Sequence, residues 1–333
     1  MPRPALTSIA LAATIAVLAG CASSAPQAVS ESESADAFPV TIEHAFGETT
    51  IEAEPERVVT WGWGSADAAI ALGVVPIAIP FQSYGGDAEG VLPWIREALE
   101  EQNAELPIVL PDSGEEPPYE AISAAEPDVI IAAYSGVTEE QFELLSEIAP
   151  VVAYPETAWA TPWKDLVSIV GKTLGKPSEA EALLAEIDTE LDSQAKAHPE
   201  FAGKTIAAVW DIGGVFYVYR AADPRVDFLF DLGFDNAPAV DELANGESTF
   251  FYTLSYEELD KLDSDVIVTY GDSATDIEKF VSSKHGGTVP AVVSGNVAEV
   301  AGTELIAAVS PPTALSLTWG MDSFVDALAK ATE

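Results

Sequence analysis

Few side chains in this sequence have the chemistry of an active site, and they do not gather. There is one thiol, Cys21, in the run Leu18-Ala19-Gly20-Cys21, and there are three imidazoles, His44, His198 and His285. A nucleophile needs a base within reach, and a zinc ion needs converging Cys, His or carboxylate ligands. Neither arrangement is written here. There is no Gly-x-Ser-x-Gly elbow, no His-Glu-x-x-His pair, no phosphate-binding loop and no Gly-x-Gly-x-x-Gly turn. Ser273, in Gly271-Asp272-Ser273, has only His285 after it, too close in sequence to be a distant C-terminal base. The residue types point away from an exported hydrolase, from any metal site and from a cofactor, and toward binding.

What recurs instead is the aromatic ring. Trp61, Trp63, Phe81, Tyr84, Tyr134, Trp210, Phe216, Tyr217, Tyr219 and Tyr270 fall at or after short apolar runs. Sheet interiors favour Val, Ile and Leu, so rings at strand ends suit a surface that encloses a bulky ligand; plain packing between lobes is the other reading. Arg220 stands beside these rings in a chain poor in basic residues. Its guanidinium could grip carboxylate, catecholate or hydroxamate oxygens, or equally pair with one of 55 acids. Arg225, at a helix start with Asp227 nearby, reads as structural. The candidate ligand contacts are therefore Trp61, Trp63, Tyr84, Tyr134, Trp210, Phe216, Tyr217, Arg220 and Tyr270.

These residues need elements to position them. Residues 38–52 alternate apolar and polar around a glycine, which predicts a hairpin. From Arg57 onward, short apolar runs alternate with helical patterns: strands at RVVTW, VVPIAIP, LPIVLP, DVIIAAY and VVAYP, and helices at SADAAIALG, YEAISAAEP and TEEQFELLSEIAP. Residues 178–197 differ. Ala180, Leu183, Leu184, Ile187, Leu191 and Ala195 recur at helical spacing, with a Ser178/Glu181 capping box and His198-Pro199 as a stop. A helix of that length spans roughly 30 Å, enough to bridge two domains. Beyond it the alternation resumes, with helices at DPRVDFLFDLG and SYEELDKLD and strands at KTIAAVW and SDVIVTY. The stretch Tyr119-Glu120 to Ile131 also lines up without gaps on Tyr256-Glu257 to Val268, an offset of 256 − 119 = 137. The pattern predicts two similar α/β lobes with mainly parallel sheets, residues 38–177 and 200–333. One long helix over 178–199 joins them, and a ligand cleft lies between them.

Composition sets the surroundings. Arg3, an apolar run from Ala5 to Leu18 and the small Ala19 and Gly20 have the layout of an export signal over residues 1–20. Residues 21–37, rich in Ser, Ala and Glu, read as a flexible tether. The exported part, about 310 residues, is enough for two lobes of ordinary size. The net charge is −41, from 14 Lys and Arg against 55 Asp and Glu. Such a surface repels nucleic acid and keeps the chain soluble in salt. A strongly anionic ligand is disfavoured.

Two resemblances follow. Leu18-Ala19-Gly20-Cys21 resembles the bacterial lipobox, which implies cleavage before Cys21 and a lipid on its thiol, holding the protein on the outer face of the cell membrane. The alternative is a buried structural cysteine. The blocks PERVVTWGWGSADAAIALGVVPIAI, AISAAEPDVIIAAYSGVTEEQFELLSEIAPVVAYP, LSYEELDKLDSDVIVTYGD and VPAVVSGNVAEV resemble, in order over residues 38–330, the ferric-siderophore and cobalamin binding proteins of ABC importers. YGGDAEGVLPWI is similar to the iron-siderophore members. The resemblance implies two lobes bridged by a helix. It also implies a monomeric receptor that passes a ferric siderophore to a permease dimer, with haem or cobalamin as the alternative ligand. Rim acids that dock onto permease arginines would be Asp67 and Glu257.

Overall fold

The computed structural model describes residues 38–114 and 116–333. The signal, Cys21 and the tether lie outside the described residues. The chain begins with an antiparallel hairpin, β1 (Val40–His44) and β2 (Gly47–Ile51). The first lobe follows as β3 (Val58–Thr60), α1 (Ser65–Ala71), β4 (Ala78–Ile79), α2 (Pro93–Glu101), β5 (Ile108–Val109), α3 (Tyr119–Ala124), β6 (Val129–Ala132), α4 (Glu139–Ser146), β7 (Val151–Ala153) and α5 (Trp163–Thr173). Its five strands are all parallel, in the order β5-β4-β3-β6-β7. All are short, and all but the edge strand β5 are buried on both faces, which is why they read as near-continuous apolar runs.

The helix between the lobes, α6 (Pro177–Ala197), has 21 residues. It starts one residue before the predicted cap. Pro177 occupies the first turn, where its fixed φ is already helical, so Ser178 lies inside the helix and makes no cap bond. The second lobe runs β8 (Thr205–Ile212), β9 (Val215–Tyr219), α7 (Pro224–Asp231), β10 (Asp235–Asn236), α8 (Pro238–Glu242), β11 (Phe251–Leu254), β12 (Val266–Gly271), α9 (Ala274–Ser282), α10 (Pro290–Ser294), β13 (Val297–Ala301), α11 (Thr303–Val309) and α12 (Ala314–Thr332). Its sheet is mixed, in the order β11-β9-β8-β12-β13: β8, β12 and β13 are parallel, and the β8–β9–β11 edge is antiparallel. The predicted helix at Tyr256 is a 3-10 turn, Tyr256–Lys261.

The last helix, α12, follows the second sheet in sequence but also packs on α1, α2 and α5 of the first lobe. One buried carboxylate fixes that contact. Asp67 of α1 is 2% exposed, and its Oδ1 accepts from Trp94 Nε1 of α2 and from Thr313 Oγ1, the cap of α12, each at 2.5 Å. Burial raises the Asp67 pKa, against the two hydrogen bonds that lower it. Asp67 is thus sealed inside a three-helix junction, and the expectation that it docks onto a permease arginine is corrected.

Asp67→Ala should lower stability in urea unfolding by about 2–4 kcal/mol, because Trp94 Nε1 and Thr313 Oγ1 lose their acceptor in a buried site. Asp67→Asn keeps an Oδ1 for both donors and should cost under about 1 kcal/mol. With its folded pKa raised, the carboxyl contributes stability below its unfolded pKa and loses it as pH rises through the folded value. The Asn variant should lack that decline.

Candidate ligand cleft

The first sheet reverses its strand order between β3 and β6, and ligands of open parallel sheets collect beyond the strand ends at such a reversal. The two loops leaving those ends are locked together. The Trp63 amide donates to the Tyr134 carbonyl at 2.9 Å, and a Cβ on Gly62 would lie 2.3 Å from that same oxygen. Tyr134 leaves this junction to line a cleft of about 340 Å³ between the lobes. Trp159, Pro162 and Trp163 complete the first-lobe wall, and Ala221 to Arg225, Asp227 and Phe250 form the opposite one.

That opposite wall holds an ion pair. Arg225 Nε donates to Asp223 Oδ1 at 2.7 Å, and Asp223 is 2% exposed. The same Oδ1 accepts from the Arg225 amide at 2.9 Å, so Asp223 also caps α7. The guanidinium carbon sits 3.7 Å from the centre of the Tyr219 ring. Burial pushes the Asp223 carboxyl up, against the pull of Arg225. Burial also works against the Arg225 charge, but the Asp223 carboxylate beside it raises the guanidinium pKa above its ordinary value. Burial pushes Tyr134 and Tyr219 each up to about 12, so both are neutral hydroxyls at physiological pH.

A second line of rings backs the pair. Tyr270 meets Tyr219 edge-on at 6.2 Å and Trp210 at 6.0 Å, and Trp210 lies 6.5 Å from Tyr84. Tyr84 Oη donates across the lobes to Asp272 Oδ1 at 2.9 Å. The Tyr270 hydroxyl and the Trp163 Nε1 are buried with no hydrogen-bond partner among the described residues. At the mouth stand two exposed rings, Trp159 at 44% and Phe250 at 38%. Trp159 has φ +57°, a left-handed conformation that costs a bulky residue about 1–3 kcal/mol and persists where surrounding packing enforces it. Its indole lies on Gly136, where a Cβ would come within 2.3 Å of Nε1.

The predicted contacts divide sharply. Tyr134 lines the cleft, and Tyr84, Trp210 and Tyr270 stand behind the ion pair. Trp61 packs in the separate core under α3 and α4, and Trp63 donates its Nε1 to the Pro311 carbonyl at 3.1 Å. Tyr217 shares the Tyr219 face of β9 but pairs with Phe251 at the sheet edge. Phe216 and Arg220 are corrected. Side chains alternate along a strand, so Phe216, Val218 and Arg220 share the face away from the cleft. Phe216 is buried there against Phe280, and Arg220 reaches Asp241 and the Ser248 carbonyl, each at 3.5 Å. Arg225, read as structural, is the arginine of the cleft. Asp223-Pro224 was its signal: an N-cap followed by proline starts a helix and aims the next side chain back at the cap. Trp159 and Phe250 had none, because both stand outside any periodic run.

Two α/β lobes, a long helix between them, a second tie by α12 and a ring-lined cleft at the strand ends define an extracytoplasmic solute-binding protein of the helix-bridged class. The chain belongs to the Periplasmic binding protein family, matched over residues 58–302. Among solved structures it is similar to PiaA of Streptococcus pneumoniae TIGR4 in complex with ferrichrome. That match has 36% identity and a TM-score of 0.79, over 88% of this chain and 98% of that one. A periplasmic solute binding protein of Mycobacterium smegmatis is 30% identical with a TM-score of 0.74, over 88% of this chain and 99% of the other. The Fe(3+) dicitrate-binding periplasmic protein FecB of Escherichia coli is 33% identical over 155 residues, 45% of this chain and 47% of FecB. The chain thus spans under half the length of the curated relatives it matches, 47% and 38%.

Arg225→Met should cost about 3–5 kcal/mol in urea unfolding, because Asp223 stays buried without its partner. Arg220→Met, at a longer and more exposed pair, should cost about 1 kcal/mol or less.

Proposed function

We propose that this protein is a receptor for a ferric siderophore, which it hands to the permease of an ABC importer while doing no chemistry of its own. The observation that carries the reading is the cleft itself. It is walled by rings and by neutral hydroxyl and indole donors around one guanidinium, at the strand ends of a chain 36% identical to a ferrichrome-bound protein. The siderophore's own oxygens hold the iron, and the protein grips the organic shell. Haem is the weaker alternative. Its axial ligand would have to be Tyr134, since no histidine lines the cleft among the described residues.

The export signal and Cys21 support a lipid anchor on the extracytoplasmic face, with a monomer as the working unit. No helix among the described residues is long and apolar enough to cross a membrane. Docking rests on exposed acids. Glu257 is exposed in the first turn after its cap Ser255. Under the offset of 137, its first-lobe counterpart is Glu120 (120 + 137 = 257), also exposed and in the first turn of α3. Glu120 thus replaces Asp67 as the first-lobe docking acid.

Tryptophan fluorescence of the purified chain should be quenched saturably, at sub-micromolar concentration, by one ferric chelate and not by its iron-free form. Quenching by haem or cobalamin alone would overturn the siderophore reading. In cells, reversing Glu120 and Glu257 to Lys should abolish iron uptake and leave chelate affinity intact; equal loss of affinity would refute the docking pair. Mass spectrometry of the membrane fraction should find Cys21 at the N-terminus and acylated; an unmodified thiol there would refute the anchor.

A further inference from the structure

We infer that the cleft is built for an electroneutral chelate of the tris-hydroxamate class, and that it selects against the anionic carboxylate and catecholate chelates. This inference rests on the siderophore reading of the cleft and narrows it. Its first support is local charge. The charged residues of the cleft wall are Asp223, Arg225 and Asp227, a sum of +1 − 2 = −1. The one cation is already matched, since Asp223 takes its Nε at 2.7 Å. At the far end of the ring line, Tyr84 holds a further carboxylate, Asp272, at 2.9 Å. A ferric triscatecholate carries three negative charges and ferric citrates carry one or more. Bringing either into a partly desolvated wall of net negative charge meets repulsion that surface salt cannot fully screen.

The second support is independent of charge. Two buried donors, one in the wall and one behind it, have no acceptor among the described residues. They are Trp163 Nε1, a wall group, and the Tyr270 hydroxyl, which stands behind the ion pair. Tyr270 is close enough to Arg225 and Asp223 to feel both charges. Arg225 gives Nε to Asp223 and lays its guanidinium 3.7 Å from the centre of the Tyr219 ring. Buried donors call for acceptors. A neutral tris-hydroxamate supplies six iron-bound oxygens and peptide-like carbonyls, all acceptors, with no net charge to desolvate. Trp159 and Phe250 at the mouth then close on the apolar part of the chelator backbone.

The test is a binding series with the full chain in detergent. It uses ferrichrome as the neutral hydroxamate, ferric dicitrate as the carboxylate and a ferric triscatecholate, each beside its iron-free form, at low and high salt. Ferrichrome should bind at least about 100-fold tighter than either anion, close to 2.7 kcal/mol, with little dependence on salt. Asp223→Asn keeps a capping side chain for α7 and removes one negative charge, so the affinity ratio of anionic to neutral chelate should rise about tenfold. Equal or tighter binding of dicitrate or the triscatecholate would overturn the neutral-class inference and leave the siderophore reading standing. An unchanged ratio in the Asn variant would also overturn it. Silence toward all three chelates would overturn both readings together.

Discussion

A carboxylate taken out of water must find donors, and the donors that Asp67 finds belong to two other helices. Trp94 comes from α2, and Thr313 caps α12, whose residues follow the second sheet in sequence. Both bonds fall on one oxygen, so the three helices meet at a single point. The cost of burying the group is met only while all three stay in place. Because α12 also rests on its own sheet, this point ties the lobes a second time, beside α6. The Tyr84–Asp272 bond makes a further tie near the ligand. The lobes are therefore joined at several points far apart in sequence.

The fold was legible where periodicity is long and local. The buried strands of the first lobe, the long helix and the repeat at offset 137 all announce themselves in residue patterns. The antiparallel edge of β9 and β11 did not, since it depends on a hairpin whose partner is chosen in three dimensions. Nor did the first-lobe contacts of α12. An apolar helix at the end of a chain states that it will be buried and leaves open against what.

The site was legible in kind more than in position. Aromatic residues at strand ends did forecast a ring-lined cleft, and Tyr134 is in it. Arg220 and Arg225 show the limit. They stand five positions apart, and the strand's alternation carries one to the back of the sheet while the turn at Asp223-Pro224 carries the other into the cleft. Composition sees two scarce cations; only the turn geometry tells them apart. Asp67 shows the same limit in reverse. Its place after a serine at a helix start matches that of an exposed acid, and a tryptophan 27 residues on and a threonine 246 residues on decide otherwise.

The crossing of α12 has a consequence for how such a receptor is read by whatever touches both lobes. A partner can distinguish the loaded from the empty form only to the extent that the two differ in shape or in mobility, and linkage makes this discrimination reciprocal with ligand affinity. Cross-tied lobes keep that difference small. Empty receptors then compete with loaded ones for the same docking ground. Throughput depends on the proportion of the population that is occupied more than on recognition of any single molecule. A tight, pre-formed cleft is the natural companion of such a scheme, because near-complete occupancy supplies the discrimination that the stiff frame withholds.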